Sequence, residues 1–521
     1  MLDLLVKGGE VHDGSGAVLS GGDVGIRDGR LVALGRALAE PARRTIAAAG
    51  LVVCPGFVDA HSHGDLEALR HPGSADKLLQ GVTTEVIGSC GFSLYPVLAA
   101  HRQEAFDFLS QLLVGLEPAD LCVSASAYFA ALGPTSTNLL SQVGHNLLRI
   151  AVNGCREELS PEALAAATRL LQEQFAAGAC ALSTGLLYTP ACFADGAELT
   201  HLARQVKAAG RLVTCHIRDE GAGLERSLAE MLAVQEGSGV ALQISHLKVS
   251  GRAQWGRMAT ILQTLAEWAA RGYDLTYDSY PYVFGCSTIM TLLPKEVLTA
   301  SPAELAGQLA EAGFREGLRR RLQDGSSLLA SVGAENIVVA SCRDPEYAGC
   351  RGQSLAAIAA ARRLDVVDLI CDLVRRERGR TSIFLYQMDE GDVRLALSHP
   401  LGCLGSDGIP AQGGLAHPRL HSAFLRLLRH YVSEAGVCSM PQAVQRLSVL
   451  PARTFRLVDR GRLAPGLVAD VVIFDPARIQ PAGMPGSGQE RRGVDWVILN
   501  GQVVVEQAEY NGVRAGALLK A

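Results

Sequence analysis

Long apolar runs, paired cysteines and an excess of positive charge are all missing from this chain. No stretch reaches the roughly 20 apolar residues that span a bilayer. The start, Met1-Leu2-Asp3-Leu4-Leu5-Val6-Lys7-Gly8, meets an acid before any sustained apolar core, unlike a secretory signal. These absences predict a cytoplasmic protein with no membrane partner. Basic residues number 48 against 53 acidic ones, a net charge of −5, which leaves no electrostatic footprint for nucleic acid. The 13 cysteines are scattered without a Cys-x-x-Cys pair, so neither a zinc knuckle nor a thioredoxin-like motif is supported. Most read as small buried apolar side chains.

What is present is globular. With 521 residues, 48% apolar and 19% charged, the chain can bury a large core and an accessory domain. The first fifty residues alternate short β-prone runs with turns, as in Asp23-Val24-Gly25-Ile26-Arg27-Asp28-Gly29-Arg30, and the tail repeats the pattern in Ala469-Asp470-Val471-Val472-Ile473-Phe474-Asp475. Neither end can bury a core alone, so residues 1–55 and 455–521 are expected to form one small β-sandwich domain. Between them, strand, loop and helix alternate; Pro161 to Ala176, with Ser160 as N-cap, is a clear helix. The expected fold is α/β: a TIM-like (β/α)₈ barrel over 56–454, whose site lies at the carboxyl ends of its strands. A segment at about 284–351, helical from Pro302 to Leu322, reads as an insertion, either a pocket wall or lid or an added layer or subunit contact.

His61-Ser62-His63 follows the apolar run Leu51 to Ala60. On a strand, residues i and i+2 share a face, so both imidazoles can reach one metal, and a metal-dependent hydrolase is the first hypothesis. Other metal-competent side chains lie just past short apolar runs: Cys90 after Val82 to Gly88, His216 after Arg211 to Cys215, His246 after Val240 to Ser245, and Asp407 after Gly402 to Ser406. Taken singly, each has an ordinary structural explanation: a buried thiol, hydrogen-bonded core histidines, a turn-forming aspartate. Four strand ends after the first carrying ligand chemistry is harder to assign to accident.

As an ordered set these residues resemble the D-aminoacylase (N-acyl-D-amino-acid deacylase) family of the amidohydrolase superfamily. The resemblance rests on His61-Ser62-His63, Gly88-Ser89-Cys90-Gly91, His216-Ile217-Arg218-Asp219-Glu220, Ile244-Ser245-His246-Leu247-Lys248 and Gly405-Ser406-Asp407-Gly408. Leu182 to Tyr188, Tyr280-Pro281-Tyr282, His417-Pro418-Arg419 and the ending Arg460 to Pro476 extend it over nearly the whole chain. It implies a tight zinc on Cys90, His216 and His246, and a second, weaker metal at His61 and His63 beside Cys90. Asp407 would be the general base, and Lys248, Tyr280 and Arg419 would bind the carboxylate of a small N-acyl amino acid. Hydantoinases and dihydroorotases are similar in layout but bridge two metals with a carboxylated lysine. Here the one lysine between Cys90 and His216 is Lys207, inside a helical run and at the wrong end of a barrel, so Cys90 is the better bridge. After Arg419 the family usually continues Gly-Thr-Phe-Pro, whereas this chain reads Leu420-His421-Ser422-Ala423, and the loop Ile409 to Ala416 is short and glycine-rich, which bears on substrate scope. Hydrolysis of another amide, cyclic or carbamoyl, and a non-catalytic scaffold remain alternatives. His145 reads as pocket-lining or structural. Nothing in the sequence sets the oligomeric state.

Overall fold

Strands buried at every residue hold the centre of the molecule. Ala181–Gly185, Leu212–His216, Ala241–Ile244 and Leu275–Ser279 are of this kind, and parallel strands covered on both faces need no apolar–polar alternation. The computed structural model describes residues 1–520 except 325–326, 412, 486 and 488. Two positions of the expected insertion and Gln412 of the glycine-rich loop therefore lie outside the described residues.

Those four strands belong to a six-stranded parallel sheet flanked by Val143–Gly144 at one edge and Gly402–Leu404 at the other. A second parallel sheet joins Phe57–Asp59, Val82–Ile87 and Asn138–Ser141. The two meet at both edges. Gln142 alone separates Ser141 from Val143, and its N–H donates to the Ile87 carbonyl at 3.1 Å. On the other side the Ala60 N–H donates to Leu404 (3.3 Å) and the Asp407 N–H to His61 (2.8 Å). Helices follow the strands. Pro161–Ala177 starts as its sequence predicts, with the Ser160 side chain accepting from the Ala163 N–H and Pro161 in the first turn, and ends at Gly178 with φ 114°.

Both chain ends enter one sheet: Val471–Phe474 pairs antiparallel with Val52–Pro55, which lies beside Leu2–His12. The strands are hydrogen-bonded in one continuous nine-stranded order. Leu2–His12 shifts register around Gly9, pairing with Ala42–Ala47 on one half and Val52–Pro55 on the other. Such a bulge bends a strand, and Leu4, Val24, Ile46, Val471 and Ile498 meet in one apolar cluster.

The segment expected as an insertion carries two strands of a separate antiparallel sheet, Phe284–Thr288 and Ile337–Ser341; the central strand, Ser382–Tyr386, lies beyond it. This sheet has its own core, including Ile289, Leu318, Ile337, Leu369 and Ile383. The helix expected through 302–322 is two, Pro302–Gln308 and Ala312–Leu322, and the break falls between Gly307 and Gly313, where helix propensity is weakest. Among the described residues no helix is long and apolar enough to cross a membrane.

Candidate metal centre and active site

Cys90, His246 and Asp407 share an unusual backbone: φ is 54°, 35° and 48°, the left-handed region that non-glycine residues rarely adopt. Strain of this kind persists where surrounding structure fixes it, and it clusters at functional sites. Around Cys90 the fixing is visible. Gly88 and Gly91 also have positive φ, and a Cβ on Gly91 would lie 2.0 Å from Asn146 Oδ1. The Gly91 N–H donates to Ser183 Oγ at 3.1 Å, and the Gly88 N–H to Asp65 Oδ2 at 2.8 Å.

The turn aims the thiol at two imidazoles. Cys90 Sγ lies 3.3 Å from His61 Nε2 and 3.4 Å from His246 Nε2. Asp407 Oδ1 is 3.2 Å from His63 Nε2 and 3.6 Å from His61 Nε2. Three overlapping donor sets result: His61, Cys90, His246; His61, His63, Asp407; and His216, Glu220, His246, with the atoms of each set within 4.8 Å of one another. His216 stands against His246, ring centroids 4.4 Å apart. Both of its ring nitrogens are buried and lack a hydrogen-bond partner, as does His63 Nδ1. Buried polar atoms are nearly always satisfied, so an imidazole with two empty nitrogens beside a carboxylate and a second imidazole, which itself touches the Cys90 thiol, fits a metal ligand.

Electrostatics agree. Burial holds His216 and His246 well below the usual imidazole range, keeping them neutral and able to bind a cation at ordinary pH. Burial pushes the Cys90 thiol up, and His61 only partly offsets this; a metal cation is what favours a thiolate in such a place. Burial also opposes ionisation of Asp407, but Arg419, with His63 and His61, keeps its carboxyl well below the usual range.

The residues expected to bind a carboxylate converge around one ring. Lys248 Nζ lies 5.8 Å and Arg419 Cζ 4.6 Å from the Tyr280 ring centroid. Each cation already has an internal anion: Arg419 Nη1 is 2.7 Å from Asp407 Oδ2, and Lys248 Nζ is 2.5 Å from Glu220 Oε1. All three residues line a cavity of about 1050 Å³ with His63, Cys90, His216, His246 and Asp407. His417 fixes Arg419, its Nδ1 accepting the Arg419 N–H at 3.0 Å. His145 is elsewhere, bonded to Thr184 and Glu198. Lys207 lies exposed in the last turn of the helix Gly196–Ala208, away from the cluster.

Two acids escaped the sequence reading. Asp278, fully buried, accepts the His246 N–H at 2.9 Å and sits 3.2 Å from His61 Nδ1, turning Nε2 of that ring toward Cys90. Its signal was an acid inside the strand run Leu275-Thr276-Tyr277-Asp278-Ser279. Glu220 lies in the run His216-Ile217-Arg218-Asp219-Glu220, but its partner His246 lies on another strand end, which spacing does not reveal.

The sequence profile of the amidohydrolase family matches residues 44–505. N-acyl-D-glutamate deacylase from Alcaligenes xylosoxydans xylosoxydans is 37% identical over 97% of this chain and 94% of its own length. The chain belongs to the amidohydrolase family, on its N-acyl-D-amino-acid deacylase branch. D-aminoacylase from the same organism is 32% identical over 99% of this chain and 97% of its own. The crystal structure of N-acyl-D-glutamate deacylase from Bordetella bronchiseptica, complexed with zinc and a phosphonate mimic of the tetrahedral intermediate, superposes with a TM-score of 0.82 at 33% identity, covering 100% of both chains. Metal marks the structural neighbours: zinc in that complex, and a binuclear metal centre in a D-aminoacylase that superposes with a TM-score of 0.85 at 31% identity.

Proposed function

We propose that this amidohydrolase is a zinc enzyme cleaving the amide bond of N-acyl-D-amino acids, releasing a carboxylic acid and a free D-amino acid. The observation that carries the reading is His216: two buried, unpartnered ring nitrogens beside His246, which is itself in contact with Cys90. Cys90, His216 and His246 would hold the tight zinc, and His61, His63 and Asp407 a weaker second ion. When bound there, zinc supplies Lewis-acid chemistry that polarises the scissile carbonyl and acidifies water. Asp407 Oδ2 is tied to Arg419, so Oδ1 is the atom that accepts the proton from water and then gives it to the departing amine nitrogen. Lys248, Arg419 and the Tyr280 hydroxyl, next to these donors, orient the substrate carboxylate.

The same reading takes the two parallel sheets, whose edges meet at Gln142 and at Ala60, as one (β/α)₈ barrel over about 56–454. Residues 1–55 and 455–521 form the accessory β domain, and the 284–386 sheet walls the cavity. All thirteen cysteines are free, which supports a reducing, cytoplasmic setting.

The test is a chirality-resolved screen of N-acyl amino acids with zinc-loaded protein, with hydantoins and dihydropyrimidines alongside. Turnover of D free acids is expected. Equal rates on D and L forms, or ring opening alone, would replace this substrate class, and no turnover of any amide by zinc-loaded protein would leave a scaffold.

A further inference from the structure

Glu220 has no part in the chemistry so far, yet it touches both halves of the site. It follows His216 by four residues, on the loop after the strand Leu212–His216. That loop is held firmly. Asp219 accepts the N–H groups of Gly221 and Gly223 at 2.7 and 3.0 Å, and the Glu220 carbonyl accepts the Ser250 N–H at 2.8 Å. The side chain is 13% exposed and points inward. Its Oε1 lies 3.0 Å from His246 Nδ1 and 2.5 Å from Lys248 Nζ, while Lys248 Nζ is 2.8 Å from the same Nδ1.

These three groups cannot all bond at once. An imidazole Nδ1 either donates to Glu220 or accepts from Lys248. If His246 ligates through Nε2, the nitrogen that faces Cys90, its proton sits on Nδ1, and Glu220 is the partner that fits. Lys248 then contacts Glu220 alone, and an ammonium with three donors keeps two for another carboxylate.

We propose that Glu220 is a positioning residue joining the metal half of the site to the carboxylate half. It orients His246 for ligation and holds the Lys248 ammonium beside Tyr280, where a substrate carboxylate can reach it. The second part rests on the carboxylate-binding role of Lys248 proposed above.

Three variants test it: Glu220→Ala, Glu220→Gln and, as reference, Lys248→Met. The first measurement is zinc affinity by competition with a chelator, without turnover. Glu220→Ala should bind zinc about 10- to 100-fold more weakly, the usual loss when a ligand's outer partner is removed. Glu220→Gln keeps an acceptor oxygen and should recover most of that affinity. The second measurement compares KM for the free-acid and amide forms of a D-substrate turned over in the screen. Glu220→Gln should raise KM for the acid by roughly 5-fold or more, the loss of a charge-assisted bond, and leave KM for the amide unchanged. Unchanged zinc affinity in Glu220→Ala overturns the first role. An unchanged acid KM in Glu220→Gln, or equal losses on acid and amide, overturns the second, even if the alanine variant fails to fold. Lys248→Met separates the two failures: if it costs acid and amide alike, the carboxylate reading falls with the second role, while the zinc titration still decides the first.

Discussion

Two buried clusters of histidine, carboxylate and cation lie on either side of the strand Ala181–Gly185. Thr184 faces one, bonding His145, and Ser183 faces the other, bonding Gly91; alternation along the strand keeps them apart. In the first, both nitrogens of His145 are engaged, by Thr184 and Glu198 at 2.9 Å each, and the other Glu198 oxygen pairs with Arg149. In the second, His216 has neither nitrogen satisfied, and Cys90, His246 and Asp407 sit in left-handed backbone. The same residue types do different work. A histidine with both nitrogens partnered ties a helix to a strand; one with neither partnered, beside residues held under strain, is a place where something else binds.

The sharpest way to break this comparison is Cys90→Ala. Removing one of three strong donors should abolish tight zinc binding and take activity to background, while the metal-free fold survives because the thiol is small and its turn is set by glycines. His61→Ala should cost the tight site far less. Zinc counted in the purified proteins decides: stoichiometric metal in Cys90→Ala, or equal loss in both, would redraw the ligand division.

Next comes Asp407→Asn. The fold and most of the zinc should remain, with turnover reduced on the order of 10²–10⁴-fold, the usual weight of general acid–base catalysis. Near-normal turnover would place the proton transfer elsewhere. Loss of zinc and fold together would move Asp407 into the same class as Glu198.

The candidate donors are legible because the pattern at strand ends recurs locally: a short apolar run, then Cys90, His216, His246 or Asp407. What spacing cannot carry is the partner. Glu220 and Asp278 act on histidines from other strands, and Arg419 turns out to hold Asp407 within bonding reach as well as line the cavity. Likewise, the strand propensities of both chain ends were plain, but their merging into one sheet depends on the register shift at Gly9. The antiparallel layer reaches past the segment expected at 284–351 because its central strand, Ser382–Tyr386, returns after two helices.

The smallest effect on turnover is expected at Glu198, and it sharpens the comparison from the other side. Burial opposes ionisation of this carboxyl, but His145 and Arg149 outweigh it and bring its pKa from 4.5 to about 2. A group depressed on folding adds stability above its unfolded pKa, and that stability is lost as pH falls through the folded value. The window here runs from about 4.5 down to 2, and a shift of that size corresponds to on the order of 3 kcal/mol. Glu198→Gln should therefore be less stable than the parent at neutral pH by a comparable amount, with the gap closing as pH falls toward 2. Denaturant midpoints across pH measure it. Turnover at a temperature where both proteins are folded should stay within about twofold, since Glu198 contacts His145 and Arg149 and none of the expected ligands. A stability gap that ignores pH would mean that the ion cluster is not what holds the helix Gly196–Ala208 to this strand. A fall in turnover to match Asp407→Asn would mean that the His145 cluster is part of the site after all.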